Sequence, residues 1–160
     1  MMDTASLISE IQSRPAQTIV CDRILVPIDG SPASMHAVEW AIDLARAADA
    51  ELTILMVIDY DAHISAFEQV SMSGYLPSEL KIAAYRFLAE LMHEIPRSVR
   101  AHTRVEEGDP GEVTVAVAAE EESHLIVMGS RGFGTFERIA FGSVSTYVTH
   151  HVHSPVLLVK

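Results

Sequence analysis

From Arg23 onward, short apolar runs alternate with longer stretches of helical period, and this alternation restricts the fold more than any other feature. "RILVPI" (Arg23–Ile28), "ELTILMVI" (Glu51–Ile58) and "HLIVM" (His124–Met128) are near-continuous apolar runs, the pattern of strands buried on both faces. "RAHTRVE" (Arg100–Glu106) alternates and reads as a strand nearer an edge, and "PVLLVK" ends the chain as a fifth strand. Between the first two runs, Ser31 offers an N-cap and Pro32 a first helical residue. Ala37, Ala41, Leu44, Ala45 and Ala48 follow at helical spacing, a small-residue face that lets a helix lie close to a sheet, and Trp40 reads as packing. Leu80, Ala84, Phe87, Leu88 and Leu91 mark a second helix that stops at Ile95-Pro96. Asp109 and Pro110 start a third, with Glu112 completing a capping box and Val113, Ala116 and Val117 toward the core. A fourth runs from about Ser143 to His151. Strands alternating with helices in this way predict an α/β fold: a doubly wound, five-stranded parallel sheet with helices on both faces.

A chain of 160 residues is most simply one domain with a proper core. We divide it into an N-terminal extension, residues 1–20, and a domain, residues 21–160. Leu7, Ile8 and Ile11 allow a turn or two of helix in the extension, but a frayed, flexible tail is the expectation. Asp59 to Pro77 shows no clean period and reads as a long connection, a kind of segment that is usually functional or mobile. The formal net charge of −11 would repel nucleic acid phosphates, and no Lys/Arg stripe reverses it locally, which argues against nucleic acid. No apolar run reaches the ~20 residues of a membrane span. The start, "MMDTASLISEIQSRPAQ", lacks the basic and apolar blocks of a secretory signal, and the single cysteine, Cys21, reads as a small buried hydrophobe. A cytoplasmic protein is expected.

In such folds a ligand binds at the carboxyl ends of the strands, where strand order reverses. Two strand ends stand out, "VPIDGS" (Val26–Ser31) and "VMGSRG" (Val127–Gly132), and they border one crevice if the first and fourth strands are neighbours. After the fourth strand comes "GSRGFGTFERIAFGS" (Gly129–Ser143), with four glycines in fifteen residues. It is not a P-loop, since no glycine precedes a lysine. Nor is it a dinucleotide fingerprint, since Glu137 stands where Gly132-x-Gly134 would need a third glycine. What remains is Gly129-x2-Gly132-x9-Gly142-Ser143, a turn off a buried strand followed by a helix start. Orphan N–H groups at such a start suit phosphate oxygens, and Ser143 adds a hydroxyl. On physical grounds alone, a ligand-free strand-to-helix loop remains the alternative.

With these residues in view, the chain resembles the universal stress proteins, a family marked by G-x2-G-x9-G-S/T after the fourth strand. The likeness covers Arg23 to Lys160 and includes "VPIDGS", "MVID" (Met56–Asp59), "EGDPGE" (Glu107–Glu112), "IVMGSRG", "FGSVS" and "SPVLLVK". It implies strand order 3-2-1-4-5 in a Rossmann-like, adenine-nucleotide alpha hydrolase-like fold. Because every glycine of the pattern is present, it implies the ATP-binding branch. Carried over by position, the resemblance puts Pro27 and Asp29 at the adenosine and Val57 at the adenine through its backbone. It puts Met128 and Gly129 beside the ribose, and Gly132, Gly142, Ser143 and Val144 around the phosphates. Arg131 occupies a variable position of the motif, and either pairs with a phosphate or points to solvent.

Phosphoryl transfer needs an activated nucleophile, neutralised charge and a held metal. Asp29 and Asp59 end neighbouring strands and could help hold Mg2+ or Mn2+ with ATP, but the motif contains no lysine and no assigned base. A nucleotide-dependent stress-response or signalling protein is therefore expected, with slow ATP hydrolysis or a nucleotide-independent interaction module as alternatives. His150, His151 and His153 read as a helix C-terminus favouring positive charge rather than as zinc ligands. The other histidines read as surface residues. "PVLLVK" is an edge-strand candidate that bare would invite pairing. The resemblance implies homodimerisation through Val156 to Val159, besides a protein partner of unknown identity.

Overall fold

Each run read as a strand is a strand in the computed structural model, which describes residues 3–13, 20–60, 76–131 and 142–160. β1 (Arg23–Ile28), α2 (Pro32–Ala48), β2 (Glu51–Ile58), α3 (Leu76–Glu94), β3 (Arg100–Glu107), α4 (Pro110–Glu120), β4 (Leu125–Gly129), α5 (Ser143–His151) and β5 (Val156–Val159) follow α1 (Thr4–Ser13) in order. The strands form one parallel sheet in the order β3-β2-β1-β4-β5. β1 and β4 are neighbours, so the two strand ends singled out above lie side by side.

The period-two alternation of each strand distributes its side chains between two cores. Ile24, Val26, Leu52, Ile54 and Val127 pack beneath Ala37, Val38, Ala41 and Ala45 of α2 and Leu88 of α3. Leu25, Leu55, Ile126 and Met128 pack on the opposite face, beneath Val117 and Ala118 of α4 and Val148 of α5. The alternating β3 lies at one edge, as its pattern predicts, and Arg104 on it fastens the end of α4. Its guanidinium reaches Glu106 at 2.6 Å, Glu120 at 2.7 Å and Glu121 at 3.2 Å. These three carboxylates hold the guanidinium pKa above its usual value.

Several local expectations are corrected. The extension is not a frayed tail throughout: residues Thr4–Ser13 form a helix, and the Asp3 carboxylate accepts the Ser6 N–H at 2.7 Å as its cap. α3 starts at Leu76, inside the stretch read as connection, whose residues 61–75 lie outside the described residues. Trp40 does not pack into the core but is 50% exposed. Ala48 and Ala116 are also exposed, and on α4 the buried face is Gly111, Thr114, Val117 and Ala118. Gly111 is there because a Cβ would stand 2.8 Å from the Tyr147 ring of α5, so the two helices meet at a bare backbone. Cys21 is partly buried against the core, which raises its thiol pKa, as expected of a small hydrophobe. Among the described residues no helix is long and apolar enough to cross a membrane.

Candidate functional site

The carboxyl edge of the sheet carries the residues that the sequence singles out. At the end of β1 the chain turns through Asp29 and Gly30, the latter at φ +82°, where a side chain would be strained. The Asp29 carboxylate accepts the Ser31 N–H at 2.9 Å, an Asx turn, and the Ser31 hydroxyl in turn accepts the Ser34 N–H at 3.3 Å as the N-cap of α2. Asp29 is exposed, and no second partner for its carboxylate is present among the described residues. Pro27 and Val57 are half-buried, and Met128 is buried. Strand alternation puts all three on the sheet face that α4 and α5 cover. Ile28 pairs with Met56, so Asp29 follows the strand end beside Val57.

Gly129 is the last residue of β4, paired with Val159, rather than the first residue of a turn. A Cβ on it would stand 2.9 Å from the Ala33 carbonyl carbon and 3.0 Å from the Ser34 nitrogen. Backbone cannot retreat as a side chain can, so the first glycine of the motif lets the first turn of α2 lie against β4. Ser130 follows, buried, and its N–H donates to the Val159 carbonyl at 2.7 Å. Its own carbonyl accepts the Gly142 N–H at 2.8 Å and the Ser145 hydroxyl at 3.1 Å. The two ends of the glycine loop are therefore clasped together, and the clasp fixes the start of α5 beside the end of β4. Sequence reasoning missed Ser130 and Ser145. Their signal was there in "MGSRG" and "GSVS", since a serine beside a strand end or in a first helical turn is suited to bond with nearby backbone.

Gly142 is the N-cap of α5, and no side chain among the described residues caps it. Its N–H is used in the clasp and its carbonyl accepts the Thr146 N–H at 3.0 Å. The N–H groups of Ser143, Val144 and Ser145 precede the first intrahelical bond and carry the positive end of the helix dipole. Ser143 is exposed and Val144 half-buried. Arg131 is exposed, whereas Gly132 lies outside the described residues.

A further polar group stands at the ends of β2 and β3. Glu107, the last residue of β3, accepts the Lys81 ammonium at 3.0 Å and the Tyr60 hydroxyl, while the Gly108 N–H donates to the Ile58 carbonyl at 3.1 Å. The bond from Lys81 holds the Glu107 carboxyl below the usual carboxylate range, and the same bond raises the Lys81 pKa. Partial desolvation first, then the neighbouring carboxylate, push the Tyr60 phenol up. Glu107 thus ties Tyr60, the second residue after β2, to α3. For metals, no group of three or more His, Cys, Asp or Glu side chains is arranged to hold an ion among the described residues. α5 ends at His151, whose ring stacks on Tyr147 at 3.9 Å, and His153 lies beyond the helix.

The fold agrees with what comparison with known proteins finds. The chain belongs to the universal stress protein family, whose model matches residues 21–160. The universal stress protein MJ0531 of Methanocaldococcus jannaschii is 32% identical over 151 residues, covering 86% of this chain and 81% of the relative. Among solved structures, universal stress protein UspA from Lactobacillus plantarum superposes with a TM-score of 0.70 at 27% identity, covering 88% of this chain and 98% of the other. A universal stress protein solved in complex with cAMP gives a TM-score of 0.63 at 25% identity, over 88% of this chain and 97% of that one.

Proposed function

We propose that this universal stress protein binds ATP at the carboxyl edge of its sheet and acts as a nucleotide-dependent stress-response or signalling protein. The observation that carries the reading is the start of α5, clasped to the end of β4 through Ser130 yet without a side-chain cap among the described residues. Free N–H groups there suit phosphate oxygens, and in a chain of net charge −11 such local dipoles are the means of holding a polyanion. Ser143 and Val144 would donate to the phosphates through their N–H groups, and the Ser143 hydroxyl would add one more bond. Gly142 would leave the approach clear. Asp29 would accept from the adenosine with the oxygen not engaged by Ser31, and Pro27, Val57 and Met128 would form the apolar side of the site, with Gly129 at the ribose. The relative solved with cAMP supports an adenine ligand, and cAMP differs from ATP in carrying one phosphate, closed in a ring onto the ribose, in place of a free chain of three. Mg2+ or Mn2+ would accompany the phosphates and neutralise part of their charge.

The donor set favours holding the nucleotide over hydrolysing it, because it contains no assigned base and no lysine in the motif. β5, at the free edge of the sheet, would pair with its two-fold mate in a homodimer in the cytoplasm. The test is to purify the chain without added nucleotide, denature it and identify what is released by chromatography and mass. ATP near one per chain supports the reading; ADP formed from fresh ATP and Mg2+ would instead mean turnover. In a calorimetric titration, Ser143→Ala should weaken ATP with the fold intact. A chain that is empty and also fails to bind added ATP overturns the proposal.

A further inference from the structure

The single tryptophan of the chain lies in an unexpected place. Two contacts orient the flank of α2 on which it sits. Ala33 abuts the end of β4, where a Cβ on Gly129 would stand 2.9 Å from the Ala33 carbonyl carbon. One turn on, the His36 ring Nδ1 stands 2.8 Å from the carbonyl oxygen of Lys160, just past β5. Trp40 is four residues beyond His36 and seven beyond Ala33, so all three share one stripe along the β4–β5 side of the helix. Helical side chains lean toward the N-terminus, which sets the Trp40 indole on the N-terminal side of its own Cα. It is nevertheless 50% exposed, whereas Leu44, one turn later, is half-buried against the core.

Next to this stripe is the free edge of the sheet. Among the described residues β5 pairs with β4 alone. The carbonyls of Pro155 and Val159 accept bonds from the β4 side, from the N–H groups of Ile126 at 3.0 Å and Ser130 at 2.7 Å. By alternation, the main-chain groups of Val156 and Leu158 point away from the sheet. Unpaired donors and acceptors of this kind are satisfied by another strand, and a two-fold copy presents the same set to itself. The strand is short, though: four residues span only about 13 Å. A stable interface needs roughly 800 Å2 from each partner, more than such a ribbon supplies, so surface beside the strand must join it. Charge narrows the choice. Two chains of net charge −11 meet most readily where neither carries an unpaired carboxylate. β5 has no charged residue, Asp43 on the stripe side is paired with Arg46 at 3.3 Å, and the exposed Glu39 projects about 100° round the helix from Trp40, away from the stripe.

We infer that the β4–β5 flank of α2 is part of an interface with a second copy of this chain, and that Trp40 is its anchor. The inference rests on the β5 pairing proposed above and adds to it the side chain that contributes most of the binding energy. A large aromatic at the centre of an apolar patch is the usual form of such an anchor.

Because Trp40 is the only tryptophan, it reports on its own burial. Sedimentation velocity and tryptophan emission are measured on the same samples across the micromolar range, with iodide quenching, and repeated by sedimentation for Trp40→Ala. The inference expects a dimer whose formation shifts the emission to the blue and protects the indole from iodide. It expects Trp40→Ala to weaken the dimer at least about tenfold with an unchanged circular dichroism spectrum. A dimer with unshifted emission and an unaltered constant in Trp40→Ala overturns the inference while leaving the β5 pairing intact. A chain that is monomeric throughout overturns both.

Discussion

α2, α4 and α5 all start along the carboxyl edge of the sheet, and they start in two different ways. α2 opens on Ser31, whose hydroxyl accepts the Ser34 N–H, and α4 opens on Asp109, whose carboxylate accepts the Glu112 N–H at 2.9 Å. Each is followed by proline, which removes one orphan donor while the cap satisfies another. α5 has neither device: it opens on Gly142, with no proline and no side-chain cap among the described residues. A missing cap costs about 1 kcal/mol, so an end left open on the ligand edge is the one to expect a ligand at. The first two ends are capped by side chains of the chain itself. The third is held in place by backbone, through Ser130, and among the described residues its first N–H groups receive no side-chain cap.

That contrast can be broken at several points, of decreasing effect. Gly129→Val drives a side chain into the backbone that joins the two kinds of start, and should lower unfolding free energy by about 3 kcal/mol in urea titrations. Gly142→Asp gives α5 the cap it lacks. The backbone there, φ −71° and ψ 164°, accepts any residue, so stability should rise by a few tenths of a kcal/mol. ATP affinity should fall about tenfold or more in calorimetry, because the new carboxylate takes an N–H and repels phosphate. Equal affinity would mean that the open end is not the phosphate site. Ser31→Ala removes the side-chain cap of α2. It should cost about 1 kcal/mol in the same urea titrations and leave ATP affinity within about twofold.

The smallest effect concerns Glu107. Its carboxyl pKa is lowered in the fold by the bond from Lys81, so its contribution is present above the usual carboxylate range and is lost as pH falls through the lowered value. Glu107→Gln should therefore flatten the acid limb of the stability profile slightly. The effect is small because the pair is solvent-exposed and screened. An acid limb steeper than that of the parent chain would show that the ion pair opposes folding.

Much of this edge was legible in the sequence because it depends on short-range chemistry. Ser31-Pro32 and Asp109-Pro110 announce helix starts whatever surrounds them, and both are found as read. Apolar runs bounded by charge or glycine identified the strands within a residue or so, β4 being displaced by one toward Gly129. Helix faces were read less well. Ala48 and Ala116 fit the period yet are exposed, because alanine carries too little apolar surface to decide which way a helix turns. Trp40 departs from expectation for the opposite reason: hydrophobicity predicts burial, but no element among the described residues covers the flank it occupies, and it stays half exposed. The α1 helix was underestimated because the cap on Asp3 was overlooked.

The glycine motif shows the same division within a single stretch. Its spacing pointed to a strand end, a turn and a helix start, and to the family. It did not disclose that Gly129 answers to the backbone of Ala33 and Ser34, far back along the chain, or that the loop is closed through the Ser130 carbonyl.

By itself the sequence determined the strands, the caps of α2 and α4 and the parallel α/β class, since each follows from residues near one another in the chain. Only the tertiary structure decided which glycine is bare for packing and which helix start is left open. It also decided that the one tryptophan faces outward beside a free strand. Those outcomes depend on which distant backbone arrives next to each residue, and hydrophobic period carries no information about that.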